Sequence, residues 1–291
     1  MNGLSILIPI YNEEDSILKT IDEIKSILNN NSLTWEIICI NDGSIDNSRH
    51  ILENNNDIIL INHKFNKGYG AALKTGLRAS KYDTICITDA DGTYPNDRIP
   101  DLINHYINNN LDMVVGARTG ENVSYPFLKK IPKFFILLLA NYISNSKIPD
   151  INSGLRIFNK KIAFEFFHLF PNGFSFTTTI TMGMLCSDYN VEFIPINYYK
   201  RDGKSKINPW KDTIGFFKLL LKIALYFNPF KFFSPLILVF LIASIFFLYR
   251  DLFILKDLTQ SSIFFPTFTL LFFSIGLLAD LIIKRSFNKY Q

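Results

Sequence analysis

The chain has 291 residues and a net charge of only +4, with 48% hydrophobic and 19% charged residues. This small charge, without a basic stripe interleaved with aromatic residues, argues against a nucleic-acid partner. Charged and polar residues dominate up to about Lys211, whereas the remainder has long runs rich in Phe, Leu and Ile. The asymmetry predicts a soluble domain over residues 1–209, joined to a membrane portion.

The first part of the chain alternates between strand-like and helix-like patterns. The apolar runs typical of buried strands are Leu4–Ile10, Trp35–Asn41, Ile58–His63, Thr84–Asp89 and Asp112–Ala117. The patterns typical of helices lie between them, at Glu13–Leu28, Asp46–Leu52, Ala71–Ser80 and Asp97–Asn109. This alternation predicts an α/β fold built on a mostly parallel, doubly wound sheet of the Rossmann-like kind.

Three of the predicted strands end in polar residues, and ligands bind at the carboxyl ends of strands in such sheets. The first strand runs into YNEE, the second into NDGSIDNS and the fourth into DADGTYP. Asp89 and Asp91 repel each other and are costly to bury unless a cation lies beside them. The small Ala90 leaves room for a ligand next to the backbone. A hard divalent ion, Mg²⁺ or Mn²⁺, that also binds substrate phosphates fits this pair.

The segment KGYGAALKTG, residues 67–76, is glycine-rich and precedes a helical pattern. Leu73 occupies the place of the third glycine in a dinucleotide-binding fingerprint, and no acid follows in the ribose-binding role. The segment therefore predicts a turn and the start of a helix.

The three cysteines and four histidines do not form a ligand pattern. Cys39 and Cys86 lie in strand-like runs and Cys186 in a helix-like run, so we expect small buried residues in a reducing, cytoplasmic setting. The histidines show no spacing typical of zinc ligands.

The tail contains two apolar runs, Phe232–Tyr249 and Ile263–Ile283, each long enough to cross a bilayer as a helix. Together they predict a transmembrane hairpin within residues 232–291. The segment Trp210–Phe227 has lysines on one helical stripe and apolar residues on another, which predicts interfacial helices over residues 210–231. Basic residues flank the hairpin on its terminal sides, so both termini are expected in the cytoplasm. Asp280 is expected near the interface.

Taken in order, the motifs resemble the family 2 glycosyltransferases with the GT-A fold, and more narrowly the polyprenyl-phosphate glycosyltransferases similar to dolichyl-phosphate mannose synthase. The resemblance runs along nearly the whole chain. It is carried by IPIYNEE, NDGSIDNS, KGYGAALKTG, DADGTYP, VGARTGEN, NSGLRIF, FSFTTTIT and RDGKSKINPWKDT, followed by the two predicted spans.

The resemblance implies roles for individual residues. The implied nucleotide-sugar site consists of Pro9, Tyr11, Glu13, Asp42, Asp89, Ala90 and Asp91. Asp89 and Asp91 would be the catalytic metal pair. Two positions depart from the family pattern: Asn41 replaces a common acid, and Thr93 stands where many members have Gln, which puts a metal contact from that position in doubt.

Basic residues are the implied phosphate contacts, because guanidinium groups match phosphate oxygens and stay charged. Arg118 is the candidate catalytic clamp, and surface ion pairing is the alternative interpretation of each arginine. The full set implied for the acceptor phosphate and pyrophosphate is Arg118, Arg156, Lys200, Arg201, Ser205 and Lys206. The last four form a predicted lid in which either Lys200 or Arg201 fills the family's arginine role.

The acceptor class follows from a missing acid. A sugar hydroxyl needs a general base, and family members with such acceptors place an acid at a helix start where this chain has GFSFTTTITMGM. A lipid phosphate is already largely dianionic at neutral pH. We therefore expect an inverting, membrane-anchored transferase using a nucleotide-sugar donor and a polyprenyl phosphate, undecaprenyl or dolichyl.

Two alternatives remain open: a family 2 enzyme acting on a sugar hydroxyl in cell-surface polysaccharide synthesis, and a non-catalytic membrane scaffold. A competent base near the anomeric carbon would favour the first, and absence of metal-dependent nucleotide binding the second. The expected location is the cell (inner) membrane, multi-pass, with a cytoplasmic catalytic domain. The sequence identifies neither the sugar, the nucleotide base nor the polyprenol, and it neither requires nor excludes a homo-oligomer.

Overall fold

The structure is a computed structural model that describes residues 3–29, 33–120, 137–173, 175–199, 217–218 and 221–287. Two compact units make up the chain, Met1–Phe216 and Phe217–Gln291. The division falls inside the segment predicted to form interfacial helices. The finer boundaries at residues 209/210 and 231/232 stay predictions.

The first unit contains a seven-stranded sheet of order β3-β2-β1-β4-β6-β5-β7. Its strands are β1 Leu4–Ile10, β2 Trp35–Asn41, β3 Ile59–Asn62, β4 Thr84–Ile87, β5 Met113–Ala117, β6 Arg156–Asn159 and β7 Val191–Pro195. The first four strands are mutually parallel, β7 is parallel to β5, and β6 runs antiparallel to both β4 and β5. The predicted α/β, mostly parallel sheet is confirmed.

Two strands were not predicted from the sequence. β6 has only four residues, RIFN, and β7 reads VEFIP with partly exposed side chains. Neither segment shows the long apolar run or the regular alternation that marks a strand. Each is extended because it pairs with a neighbouring strand: β6 pairs with β4 and β5, and β7 pairs with β5.

Helices cover both faces of the sheet. The helices of the first unit include α1 Ile17–Asn29, α2 Ser48–Glu53, α3 Tyr69–Ala79, α4 Ile99–Asn108, α5 Lys160–Glu165 and α6 Phe176–Cys186, and residues 137–144 are also helical. The core on one face joins Ile6 and Ile8 of β1 to Ile17 of α1 and Leu102 of α4. On the other face α3 lies against the sheet, where Gly76 faces Leu7 and Ile40. This two-sided packing confirms the doubly wound arrangement.

The first helix begins four residues later than predicted, at Ile17. The reason is a loop directly after β1, in which Asn12 takes a left-handed φ of 56° that a helix cannot continue. Backbone N–H groups of Asn12 and Glu13 donate to Ser44 and Ser48 side chains, which are located beyond β2. Long-range hydrogen bonds therefore hold Asn12 and Glu13 in the loop, and the Glu13 carbonyl accepts the Ile17 N–H at 3.0 Å where the helix begins.

The second unit contains two long apolar helices, α7 Pro229–Tyr249 and α8 Gln260–Phe287, with a π-helical turn Arg250–Leu255 after the first. Both are long and apolar enough to cross a membrane, with mean hydropathies of 2.5 and 1.9 over their best windows. They pack through stacked Phe247 and Phe265 rings, 4.8 Å apart. The two predicted apolar helices are thus present.

The turn between α7 and α8 is organised by a buried carboxylate. Asp251 is 0% exposed and accepts hydrogen bonds from Arg250 and from the backbone N–H and hydroxyl of Thr259, the last two at 2.7 and 2.6 Å.

Of the predicted interfacial helix, residues 221–227 are helical, whereas residues 210–216 and 219–220 lie outside the described part of the chain.

Candidate active site

The carboxyl ends of β1, β2 and β4 lie at one edge of the sheet, because these neighbouring strands run parallel. In chain order, β2 and β3 are added on one side of β1, and β4 is then added on its other side. Such a reversal leaves a crevice between the diverging loops, where ligands bind in sheets of this type. The predicted donor-site residues follow these three strands.

The loops after β1 and β2 are interlocked by side-chain hydrogen bonds. The Asn12 N–H donates to Ser44 Oγ at 3.0 Å, while Asn12 Oδ1 accepts the Ile45 N–H at 2.9 Å. The Glu13 N–H donates to Ser48 Oγ at 2.9 Å. Tyr11 and Glu13 are both half-buried on this fixed loop. Pro9 lies one residue before the end of β1, beyond the last residue of β1 that pairs with β4. Its missing N–H therefore leaves no gap in the hydrogen bonds between β1 and β4.

Asp42 is 3% exposed and organises the loop after β3. One carboxylate oxygen accepts the Lys67 N–H at 3.0 Å and pairs with His63 Nδ1 at 2.6 Å, and the other accepts the Gly68 N–H at 2.7 Å. His63 Nε2 also contacts Thr75 Oγ1 at 2.9 Å. Asp42 thus fixes the loop that leads into α3, a role that the sequence did not indicate. Its predicted contact with the nucleotide stays a prediction.

β4 ends at Ile87, two residues before the predicted strand end. The DADG segment that follows forms a turn. Gly92 takes a φ of 67°, which allows the chain to fold back. Thr93, fully buried, donates its hydroxyl to Asp91 Oδ1 at 2.6 Å, and its N–H donates to the same oxygen at 3.2 Å. Thr93 therefore orients the Asp91 carboxylate.

Ala90 does not offer the open space that we expected beside it. Its side chain is 2% exposed and belongs to the hydrophobic core. Its carbonyl oxygen accepts the hydroxyls of Ser16 at 2.8 Å and Thr20 at 3.3 Å. The residue anchors the turn to the start of α1, because a small side chain fits that packed position.

Asp89 is half-buried between two elements that are distant in sequence. Tyr69, the first residue of α3, donates its hydroxyl to Asp89 Oδ1 at 3.0 Å. A Cβ added to Gly154 would lie 3.0 Å from both carboxylate oxygens. The Gly154 N–H in turn donates to the hydroxyl of buried Tyr94 at 2.6 Å. Sequence reasoning assigned no role to these neighbours, since only the tertiary fold brings them to Asp89.

The carboxylates fit a divalent cation of the predicted kind. Within the described residues there is no cluster of three or more His, Cys, Asp or Glu side chains that could hold a metal by itself. Mg²⁺ binds through one or two carboxylates plus substrate phosphates and water, so a two-carboxylate site meets its needs. Asp89 and Asp91 are the residues that would hold it.

Arg118 is paired with a carboxylate that sequence reasoning missed. Its Nε and Nη2 donate to the two oxygens of Asp150 at 2.7 and 3.0 Å, and its backbone N–H donates to the same side chain. The Asp150 side chain is 1% exposed and that of Arg118 16%. The guanidinium also lies over the Tyr198 ring, 5.2 Å from its centroid. A phosphate contact from Arg118 stays a prediction, and such a contact would have to share the charge with Asp150.

Arg156 is buried in this structure, and the phosphate contact that the resemblance implied for it stays a prediction. It is 0% exposed, and its guanidinium donates to the Ser153 carbonyl, to the Thr177 carbonyl at 3.1 Å and to Thr181 Oγ1 at 2.9 Å. Burial lowers the pKa of Arg156 to about 10. The side chain joins β6 to α6 in the interior. The other implied phosphate contacts, Lys200, Arg201, Ser205 and Lys206, lie outside the described residues.

Helix α6 is buried along most of its length and begins without an acidic residue. Among its four buried threonines, Thr178 donates to Asn152 Oδ1 at 2.5 Å.

The two cysteines of the strands behave as expected: Cys39 and Cys86 are buried, and burial raises the pKa of each thiol to about 12. Neither the helix nor the thiols bring an acid or a nucleophile to the strand ends.

A comparison with protein families identifies the family of this chain. The profile described as glycosyl transferase family 2 matches residues 5–167, which is more than half of the chain and includes both candidate carboxylates. The chain belongs to glycosyl transferase family 2. The family 2 resemblance stated from the motifs is thereby confirmed.

Curated relatives of this family 2 chain include transferases named for lipid-linked acceptors. A dolichyl-phosphate hexose transferase of Haloferax volcanii is 25% identical over 77% of this chain and 95% of its own length. A UDP-N-acetylglucosamine–dolichyl-phosphate N-acetylglucosaminyltransferase of Methanococcus voltae is 32% identical over 53% of this chain and 68% of its own length. A low-salt glycan biosynthesis hexosyltransferase of Haloferax volcanii is 26% identical over 72% of this chain, which spans only 51% of that relative.

Solved structures show the same fold. A glucosyl-3-phosphoglycerate synthase from Mycobacterium tuberculosis, in complex with Mn²⁺, UDP and phosphoglyceric acid, superposes with a TM-score of 0.57 at 15% identity, over 77% of this chain and 78% of that one. The S. aureus TarS fragment with UDP-GlcNAc gives 0.54 at 16% identity, over 78% and 67%. At these identities the likeness establishes the GT-A fold.

Proposed function

We propose that this protein is a membrane-anchored, inverting glycosyltransferase that moves a sugar from a nucleotide-sugar to a polyprenyl phosphate. The observation that carries the proposal is the oriented pair Asp89 and Asp91 at the carboxyl edge of β4, in a chain of family 2. The names of relatives in archaea, which include dolichyl-phosphate transferases, support the acceptor class.

The donor site is proposed at the crevice between the loops after β1 and β4. Tyr11 and Glu13 would contact the nucleoside. Asp42 supports the neighbouring loop before α3 through its hydrogen bonds to residues 67 and 68. Asp89 and Asp91 would hold Mg²⁺ or Mn²⁺ against the diphosphate. When bound, this ion neutralises negative charge that develops on the departing nucleoside diphosphate.

The transfer step needs no general base in this proposal. A phosphate oxygen of the polyprenyl phosphate attacks the anomeric carbon of the sugar, and the bond from that carbon to the nucleoside diphosphate breaks as the new bond forms. Attack opposite to the leaving group inverts the configuration. The acceptor is already ionised near neutral pH, in keeping with the acid-free start of α6.

The membrane part of the proposal is supported by α7 and α8, two helices of sufficient length and hydropathy. They would form the anchor that keeps the domain near the lipid acceptor. By the distribution of basic residues, the catalytic domain and both termini are proposed to face the cytoplasm of the cell membrane.

The test is release of nucleoside diphosphate by the purified full-length protein in detergent. A panel of sugar nucleotides is supplied with Mg²⁺ or Mn²⁺, with and without undecaprenyl phosphate. Release should require one donor, metal and lipid phosphate, and should vanish in Asp91→Asn. The matched control is Asp97→Asn, which changes an exposed acid six residues further along.

Other results point elsewhere. Release that is indifferent to the lipid would refute the acceptor class and favour hydroxyl transfer. If no donor is turned over with any metal, the non-catalytic scaffold replaces the enzyme proposal.

A further inference from the structure

The Asp89 carboxylate is held from two sides by residues outside its own loop. The Tyr69 hydroxyl bonds Oδ1 at 3.0 Å, and Gly154 stands so close that a Cβ there would lie 3.0 Å from both oxygens. A hydroxyl donor on one side and a packed backbone on the other restrict the rotation of the carboxylate. Its direction is therefore set by these neighbours.

Tyr69 is itself fixed, because the start of α3 is joined to the loop at residues 170–173. The Gly70 N–H donates to the Gly173 carbonyl at 3.2 Å, and the Ala71 N–H donates to the Asn172 carbonyl at 3.0 Å. Lys74 Nζ donates to the Phe170 carbonyl at 3.1 Å. The two backbone bonds, from Gly70 and Ala71, use N–H donors that every helix leaves unsatisfied in its first turn.

Glycine permits this close approach. A Cβ at Gly70 would lie 2.2 Å from the Pro171 carbonyl oxygen, which no side chain tolerates. Gly68 enters the helix at a φ of 101°, a conformation that favours glycine. The glycines of the KGYG segment thus set where Tyr69 stands.

The Tyr69 hydroxyl remains a donor over the working pH range. Burial, followed by the negative charge of Asp89, raises the pKa of Tyr69 well above its usual value.

We infer that Tyr69 is a positioning residue of the metal site: its hydroxyl orients Asp89 towards the cation, and α3 ties that orientation to the loop at residues 170–173. The inference rests on the proposed function, because it takes Asp89 as a metal ligand. It goes further by assigning a neighbour that fixes the ligand without touching the metal.

The experiment measures Mn²⁺ binding directly. Full-length protein in detergent is titrated with Mn²⁺, alone and with UDP or GDP, and free Mn²⁺ is read from its electron paramagnetic resonance signal. Tyr69→Phe keeps the ring and removes the hydroxyl, so we expect a dissociation constant raised about tenfold, as for other partners that orient metal ligands. The melting temperature should change little.

The chain offers a matched control. Tyr189 donates its hydroxyl to Glu165 at 2.7 Å, so Tyr189→Phe deletes the same kind of bond elsewhere in the unit and should leave Mn²⁺ binding unchanged. Lys74→Met is the second variant. It loosens α3 from the loop without altering Tyr69 or Asp89, and should weaken Mn²⁺ binding in the same direction by a smaller factor.

Wild-type Mn²⁺ affinity in Tyr69→Phe would overturn the inference while leaving the proposed function standing. Unchanged binding in Lys74→Met would overturn its second half, the link to residues 170–173. If the wild-type protein binds no Mn²⁺ under any of these conditions, the metal dependence of the proposed function fails, and the inference fails with it.

Discussion

The Asp42 carboxylate provides a stringent test of how the donor edge is built. Asp42→Asn keeps the size of the side chain but replaces one acceptor oxygen by an NH₂ group, which would face N–H donors of Lys67, Gly68 or His63. At least two hydrogen bonds to a charged acceptor are weakened or lost. Each contributes about 1.5 kcal/mol or more, so the unit should lose roughly 3 kcal/mol of unfolding free energy.

Thermal unfolding of the purified protein measures this loss. For a unit of about two hundred residues, roughly 3 kcal/mol corresponds to a fall in melting temperature of about 6–12 °C. Asp46→Asn is the control, because Asp46 also accepts two backbone N–H groups but is more exposed, so a smaller fall is expected. A melting temperature within about 2 °C of wild type, together with lost donor binding, would refute this reasoning and make Asp42 a ligand contact.

Three further variants test other contacts. Gly154→Ala should displace the Asp89 carboxylate and reduce turnover about tenfold or more, with a smaller effect on melting temperature, as measured by nucleoside diphosphate release. Asp150→Asn strands the buried charge of Arg118 and should cost about 3 kcal/mol in thermal unfolding; an unchanged melting temperature would mean that the pair is dispensable. Ser244→Ala removes a hydroxyl bonded across the apolar hairpin and should cost about 0.6 kcal/mol, measured as hairpin association in detergent.

The fold was predictable where local patterns are strong. Leu4–Ile10 and Trp35–Asn41 have the bounds that their apolar runs predict, because both strands lie inside the sheet and are largely buried. The strand at Thr84 ends at Ile87, two residues before the predicted end, and the chain then turns at Gly92, whose positive φ the apolar pattern does not reveal. β6 escaped prediction because four residues carry too little periodicity.

The site was predictable as a list of acids, but their partners were not. Asp89 and Asp91 stand out because carboxylates after a buried strand are unusual. Tyr69 lies twenty residues before Asp89, and the bond between them depends on where α3 packs. The surroundings of Arg156 were not predictable for a related reason: an arginine in a motif suggests a phosphate contact, whereas its burial depends on how β6 and α6 pack.

The electrostatics of the described site favour a cation. Thr93 and Tyr69 are neutral donors, so they orient Asp91 and Asp89 without cancelling their charge. A nucleoside diphosphate would bring further negative charge to the same edge. Arg118 already pairs with Asp150, and Arg156 donates its hydrogen bonds to Thr177 and Thr181 inside the fold.

We therefore expect positive charge for the departing diphosphate from a bound metal ion and from the predicted lid at residues 200–206. Removal of divalent metal by EDTA should abolish transfer, and added Mg²⁺ or Mn²⁺ should restore it. Full activity in EDTA would show that the lid alone supplies the charge, and that Asp89 and Asp91 serve the sugar.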